Sequence, residues 1–160
     1  MQYICNVFQP AMSQSAASAP NPLLQLENQL CFPLYAVSRL VTKAYQPLLE
    51  ELELTYPQYL VLLLLWEHGE LSVKGLGERL LLDSGTLTPL LKRLEQRGLV
   101  SRRRDARDER SVRIGLQPAG EALRHKATCI PEALMAKFQL SPAEFEALRG
   151  QLNHLLTQLS

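Results

Sequence analysis

Leu82-Asp83-Ser84-Gly85-Thr86-Leu87-Thr88-Pro89-Leu90-Leu91-Lys92-Arg93-Leu94-Glu95-Gln96-Arg97-Gly98 is the stretch on which the fold turns. Asp83 or Ser84 offers a side-chain oxygen to the free N–H groups of a helix start, and Gly98 offers a stop, so a helix is predicted over residues 84–97. Upstream, Ser72 caps a short helix reaching about Leu81. Before it, a helix runs from Pro57 to about His68, with Thr55 or Tyr56 as its cap and Gly69 at its end. Downstream the period changes. Residues 99–104 and 111–116 read as strands, the second alternating cleanly, around the charged loop Asp105-Ala106-Arg107-Asp108-Glu109-Arg110. Short helix, turn, helix and two-stranded ribbon is the order of a winged helix-turn-helix.

The flanks are helical. Leu26, Leu30, Leu34, Val37, Val41, Tyr45, Leu48 and Leu52 recur at steps of three and four. Pro33 points to a helix that starts or kinks around Phe32, and Pro47 to a second bend. Beyond the ribbon, Pro118 opens one helix, and Ser141-Pro142-Ala143-Glu144 is a capping box that opens the last. Phe145, Leu148, Leu152, Leu155 and Leu159 form its apolar stripe. The expected chain is therefore mainly α with a small β-hairpin, with two helices after the wing. Apolar stripes on the flanking helices need a partner, and a homodimer that buries them between two subunits is the natural solution. The first 21 residues, with their small, polar, Pro-containing run, read as a disordered tail. Met12 is a second candidate start, which would remove Cys5.

Bulk properties exclude more than they assign. A chain of 160 residues suits one domain with a real core. With 17 basic and 16 acidic side chains, net charge decides nothing about nucleic acid, so the local distribution has to. Cys5, Cys31 and Cys129 lack CxxC spacing, and the three histidines are scattered along the chain, so no metal and no cofactor is assigned. The sparse, odd cysteine count argues against a secreted disulfide scaffold. The longest apolar run, residues 60–66, is far too short to cross a bilayer. A cytoplasmic protein without a membrane role is expected.

Locally the charge is uneven. Residues 102–113 hold six arginines against Asp105, Asp108 and Glu109. An arginine on such a tip, Arg107 or Arg110, can enter a narrow minor groove. Ser84, Thr86 and Thr88 at the start of the preceding helix, with Lys92, Arg93 and Arg97 further on, suit base edges and phosphates in the major groove. A solvated charged hairpin and plain helix capping are the competing readings, and what favours DNA is the juxtaposition of all these features.

Cys31 carries the second signal. A free cysteine is usually a buried small hydrophobe. Pro33, however, puts Cys31 near a helix start, where the dipole favours a thiolate. Tyr35 lies one turn on, and Tyr45 and Tyr56 follow 14 and 25 residues beyond the cysteine. Phenols can hydrogen-bond a thiolate, although core packing explains them equally well.

The stretch 82–95, followed by Gly98-Leu99-Val100 and by the loop with Asp108 and Arg110, resembles the MarR family of bacterial repressors. The resemblance covers about residues 26–160. It implies one MarR-type domain over 22–160, with a winged helix-turn-helix at about 57–116 and dimerisation helices at about 22–55 and 118–160. It also implies double-stranded operator DNA as partner, with Asp108 and Arg110 as the wing's Asp-x-Arg. Gln29-Leu30-Cys31-Phe32-Pro33-Leu34-Tyr35, Lys43-Ala44-Tyr45 and Leu54-Thr55-Tyr56-Pro57-Gln58-Tyr59 are similar to the organic-hydroperoxide-resistance regulators of that family. That similarity implies Cys31 as the oxidised sensor, organic hydroperoxides as inducer, and Tyr45 and Tyr56 as its hydrogen-bond partners from the other subunit. Some members place a second cysteine after the wing that forms a disulfide with the sensor, and Cys129 is the candidate. Capping by a small thiol is the alternative. A repressor released by a phenolic ligand, with Cys31 structural, is the rival within DNA binding. A thiol peroxidase is the rival among enzymes, and in it the basic wing has no role.

Overall fold

The computed structural model describes residues 21–106, 108 and 110–159. The expected tail up to Pro20, with Cys5 and Met12, and the wing residue Arg107 lie outside the described residues. The chain divides into two compact units, residues 1–39 and 40–160.

In the first unit, two short 3-10 turns, Pro22–Leu24 and Leu26–Asn28, precede helix α1 (Cys31–Glu50). The helical pattern expected from Leu26 thus begins as a helix only at Cys31. Local side-chain bonds account for the difference. Asn21 Oδ1 accepts the Leu23 N–H at 3.0 Å, Asn28 Nδ2 donates to Pro22 O at 2.9 Å, and Gln29 Nε2 donates to Leu23 O at 2.6 Å. Such bonds offer the backbone an alternative to the helix ladder. Pro33 stands in the first turn of α1, where its missing N–H costs nothing. Pro47 does not stop the helix, which ends three residues later at Glu50.

In the second unit the caps fall where the sequence puts them. Helix α2 (Tyr56–His68) follows Thr55, whose N–H is held by Gln58 Oε1 at 2.9 Å, and it ends at Gly69 with φ of +77°. Helix α3 (Val73–Leu80) is capped by Ser72 Oγ, and helix α4 (Ser84–Gln96) by Asp83. Strands β2 (Val100–Arg104) and β3 (Val112–Leu116) form the expected hairpin. Helices α5 (Pro118–Ala127), α6 (Ile130–Phe138) and α7 (Pro142–Leu159) follow.

Two expectations are corrected. The hairpin is part of a three-stranded antiparallel sheet of order β1-β3-β2, because β1 (Glu70–Ser72) pairs with β3. Three residues running straight into a helix cap carry no legible alternation. After the wing there are three helices, not two. Thr128 Oγ1 bonds His125 O at 2.8 Å, closing α5, and Pro131 suits only the first turn of a new helix.

The core gathers around α2, which is apolar on every side and buries Tyr59, Val61, Leu62 and Leu65. Leu87, Leu91 and Leu94 turn one face of α4 onto it, and Leu76, Val100 and Ile114 close the other sides. Each such leucine stabilises the fold by about 1.5–3 kcal/mol through burial. Helix α7 contributes no buried residue; Leu148, Leu152 and Leu156 on it are exposed. In the first unit Leu30, Leu34 and Val37 of the predicted stripe are likewise exposed.

Candidate nucleic-acid interface and thiol site

Burying Leu87, Leu91 and Leu94 inward leaves Ser84, Thr86, Pro89, Lys92 and Arg93 of α4 exposed, with Thr88 half-buried. The helix start is less open than its hydroxyls suggest. Asp83 Oδ1 accepts the Thr86 N–H at 2.8 Å, and Asp83 Oδ2 accepts the Thr86 hydroxyl at 2.9 Å. These bonds hold the Asp83 carboxyl below its usual range. Thr88 Oγ1 donates to Ser84 O at 2.7 Å. Both threonine hydroxyl protons are engaged in local hydrogen bonds, so these oxygens can serve only as acceptors. Charge on this face comes from Lys92 and Arg93. Arg97 leaves the set: its guanidinium bonds Leu52 O at 3.1 Å and Glu53 Oε2 at 3.2 Å, tying down the chain just beyond α1.

The wing's arginine surplus is partly neutralised inside the fold. Arg113 Nε donates to Glu70 Oε1 at 2.7 Å, Arg103 pairs with Glu70 Oε2, and Arg102 lies 3.6 Å from Glu95. The Arg113 hydrogen bond, then that of Arg103, holds the Glu70 carboxyl below its usual range. Arg104 and Arg110 are exposed and make no ion pair with a described residue. Asp108 shapes the tip: its Oδ1 accepts the Arg110 N–H at 3.1 Å, and its carbonyl accepts the Ser111 N–H at 2.9 Å. Glu70 is the residue that reading the sequence missed. Its partners lie 33 and 43 residues away, beyond any local pattern.

Tyr45 and Tyr56 stack with ring centroids 4.5 Å apart, and Tyr59 lies 5.9 Å from Tyr45. Tyr59 is an unforeseen third member, one turn beyond Tyr56. Burial first, then the neighbouring phenols Tyr56 and Tyr59, pushes the Tyr45 phenol up to about 12. Tyr45 therefore keeps its proton and remains a hydrogen-bond donor throughout the physiological range. The folded state binds this proton more tightly than the unfolded chain does. Its stabilising contribution is thus complete below about pH 10 and is lost as pH rises through about 12. Ultraviolet titration of phenolate should show one tyrosine ionising near 12, and a single transition for all tyrosines at pH 10 would refute this.

Cys31 is the first residue of α1 and is exposed. In the same unit, Tyr35 OH accepts a hydrogen bond from Arg39 Nη1 at 2.6 Å, and that guanidinium lies 5.5 Å from the ring centroid. In the second unit Cys129 is exposed at the junction of α5 and α6, its thiol directed to Lys126 O at 3.5 Å. It shares a cleft of about 480 Å³ with Leu48, Leu52, Lys126 and Ile130. Among the described residues no group of three or more His, Cys, Asp or Glu could hold a metal ion, and no helix is long and apolar enough to cross a membrane.

A helix-turn-helix whose second helix presents hydroxyls and cations, flanked by an arginine-bearing wing, defines a winged-helix regulator. Residues 54–112 match the MarR family model. The chain is 54% identical over 136 residues to the organic hydroperoxide resistance transcriptional regulator of Bacillus subtilis (strain 168), covering 85% of this chain and 92% of that protein. The protein belongs to the MarR family. Its fold is also similar to solved structures of AbfR. Reduced AbfR bound to DNA matches with a TM-score of 0.69 at 40% identity, over 84% of this chain and 94% of that one. Disulfide-formed AbfR matches with a TM-score of 0.59 at 43% identity, over 82% and 92%.

Proposed function

We propose that this MarR-family protein is a cytoplasmic, homodimeric repressor that leaves its operator when an organic hydroperoxide oxidises Cys31. The observation that carries the reading is an exposed thiol at the first residue of a 20-residue helix, in a chain 54% identical to a regulator of organic hydroperoxide resistance. The reactive form of the cysteine is its thiolate. The thiolate attacks the peroxide O–O bond, giving a sulfenic acid and releasing the alcohol. A second thiol then displaces water from the sulfenic acid and forms a disulfide. Cys129 of the partner subunit is the candidate second thiol, and its exposure supports the choice. A small cellular thiol would leave the same oxidised Cys31. Protonated phenols of Tyr45 and Tyr56, offered by the other subunit, would hold the thiolate before reaction.

The exposed leucines of α7 and of the first unit, apolar stripes in need of a partner surface, support the dimer. Each subunit would place α4 in a major groove, with Ser84, Thr86, Thr88, Lys92 and Arg93 toward the DNA. The wing, with Arg107, Asp108 and Arg110, would lie against the adjacent minor groove. A disulfide that shifts the dimer helices would move the two α4 helices out of register with successive grooves. The cleft beside Cys129 supports a second reading, release by a small apolar ligand such as a phenol. A gel shift on the protein's own upstream DNA separates the two. Release by cumene hydroperoxide that a thiol-blocking reagent prevents supports oxidation. Retention of DNA after peroxide, with release by a phenol instead, supports the ligand.

A further inference from the structure

We propose that Glu70 is a positioning residue for the wing, its carboxylate clamping Arg103 of β2 and Arg113 of β3 to β1 and so setting where Arg104 and Arg110 are held. The inference rests on the operator-binding reading above and names a residue that serves it without touching DNA. Strand register shows how the clamp is built. Glu70 pairs with Gly115, Gly115 with Ser101, and Arg113 with Arg103. These residues alternate onto one face of the sheet. Gly115 presents no side chain there, and a Cβ would meet Glu70 Oε2 at 3.5 Å and Ser101 Oγ at 3.6 Å. The bare glycine opens a path along which Glu70 crosses β3 to reach both arginines.

Two guanidiniums directly opposite each other across a strand pair repel and would splay it. Here the repulsion is cancelled by a carboxylate only 27% exposed, with Asp105 Oδ2 adding a contact 3.8 Å from Arg113 Nε. Glu70 also stands two residues before Ser72, the cap of α3. The clamp therefore joins the wing to the start of α3, the first helix of the helix-turn-helix. It has a second effect. Two of the wing's arginines are kept from phosphates, which limits affinity for DNA of any sequence.

Glu70→Gln, nearly the same shape, tests both effects. Amide hydrogen exchange in β2 and β3 should speed up by about tenfold. Binding to a random duplex should tighten several-fold, with the salt slope steeper by about one to two as Arg103 and Arg113 reach phosphates. The ratio of operator to random affinity should fall by about tenfold. Gly115→Val keeps every charge but blocks the path, and should reproduce the faster exchange. Unchanged exchange in both variants would overturn the clamp, whatever the DNA result. Faster exchange with unchanged discrimination and salt slope would overturn its role in positioning. An unsubstituted protein with no operator preference would refute the operator-binding reading instead, and exchange alone would then decide the clamp.

Discussion

Gly120→Ala should lower the thermal midpoint by about 10 °C, although alanine is the better helix former. A Cβ at Gly120 would stand 2.1 Å from Leu99 O and 3.0 Å from Leu99 C, against an ordinary carbon–oxygen approach of about 3.3 Å. Leu99 cannot yield cheaply. Its N–H is bonded to Leu94 O at 3.0 Å, its carbonyl accepts Gln117 N–H at 2.9 Å, and its side chain is buried. Helix α5 would have to lift by about an ångström instead, straining the Gln117 bond and the 3.0 Å bond from Trp66 Nε1 to Gly120 O. Overpacking costs about 1–3 kcal/mol, and each weakened hydrogen bond about 1 kcal/mol. The helix preference for alanine returns only about 1 kcal/mol. A net loss of roughly 3 kcal/mol corresponds to about 10 °C in a domain of this size. Trp66, the sole tryptophan, lies at the site and reports the transition by fluorescence. Gly150→Ala on α7 is the control, since no atom stands within 4 Å of its Cβ, and it should melt at or slightly above the unsubstituted protein. Equal midpoints for the two variants would refute the argument.

The same contrast explains what could be read from the sequence. Thr55, Ser72, Asp83 and Ser141 were legible as helix starts because a cap bonds backbone within three residues, as Ser141 N–H does with Glu144 Oε2 at 2.8 Å. Strand β1 was not legible, since its identity rests on pairing with Ile114 and Gly115, more than 40 residues away. Arg97 looked like a further cation of the DNA-facing helix, and only the fold shows it bound to the chain after α1. Arg103 and Arg113 belong to a basic surplus that Glu70 in fact partly neutralises. Composition records charges, whereas long-range contacts decide which of them remain free. For the thiol site, the position of Cys31 at a helix start was written locally by Pro33. Its chemistry rested on resemblance, because no spacing specifies a peroxide.

Cys31→Ser should leave operator affinity of the reduced protein within about twofold and abolish release by cumene hydroperoxide. The unsubstituted protein should lose affinity on the order of 100-fold on the same treatment, about 3 kcal/mol, within the usual range for coupling between two sites. The variant isolates chemistry from packing. The exchange of sulfur for oxygen changes little volume, and serine keeps the shape at the first residue of α1. What it removes is the sulfur nucleophile, because a hydroxyl does not attack a peroxide under these conditions. Cys129→Ser divides the outcome further. If the disulfide with Cys129 drives release, this variant should form the sulfenic acid, detectable by trapping with dimedone, yet keep its operator until a small thiol is added. If a small thiol is the normal partner, the variant should behave as the unsubstituted protein does. A Cys31→Ser protein that still left DNA on peroxide treatment would remove the sensing assignment altogether. The cleft beside Cys129 would then be a candidate place from which release could be controlled.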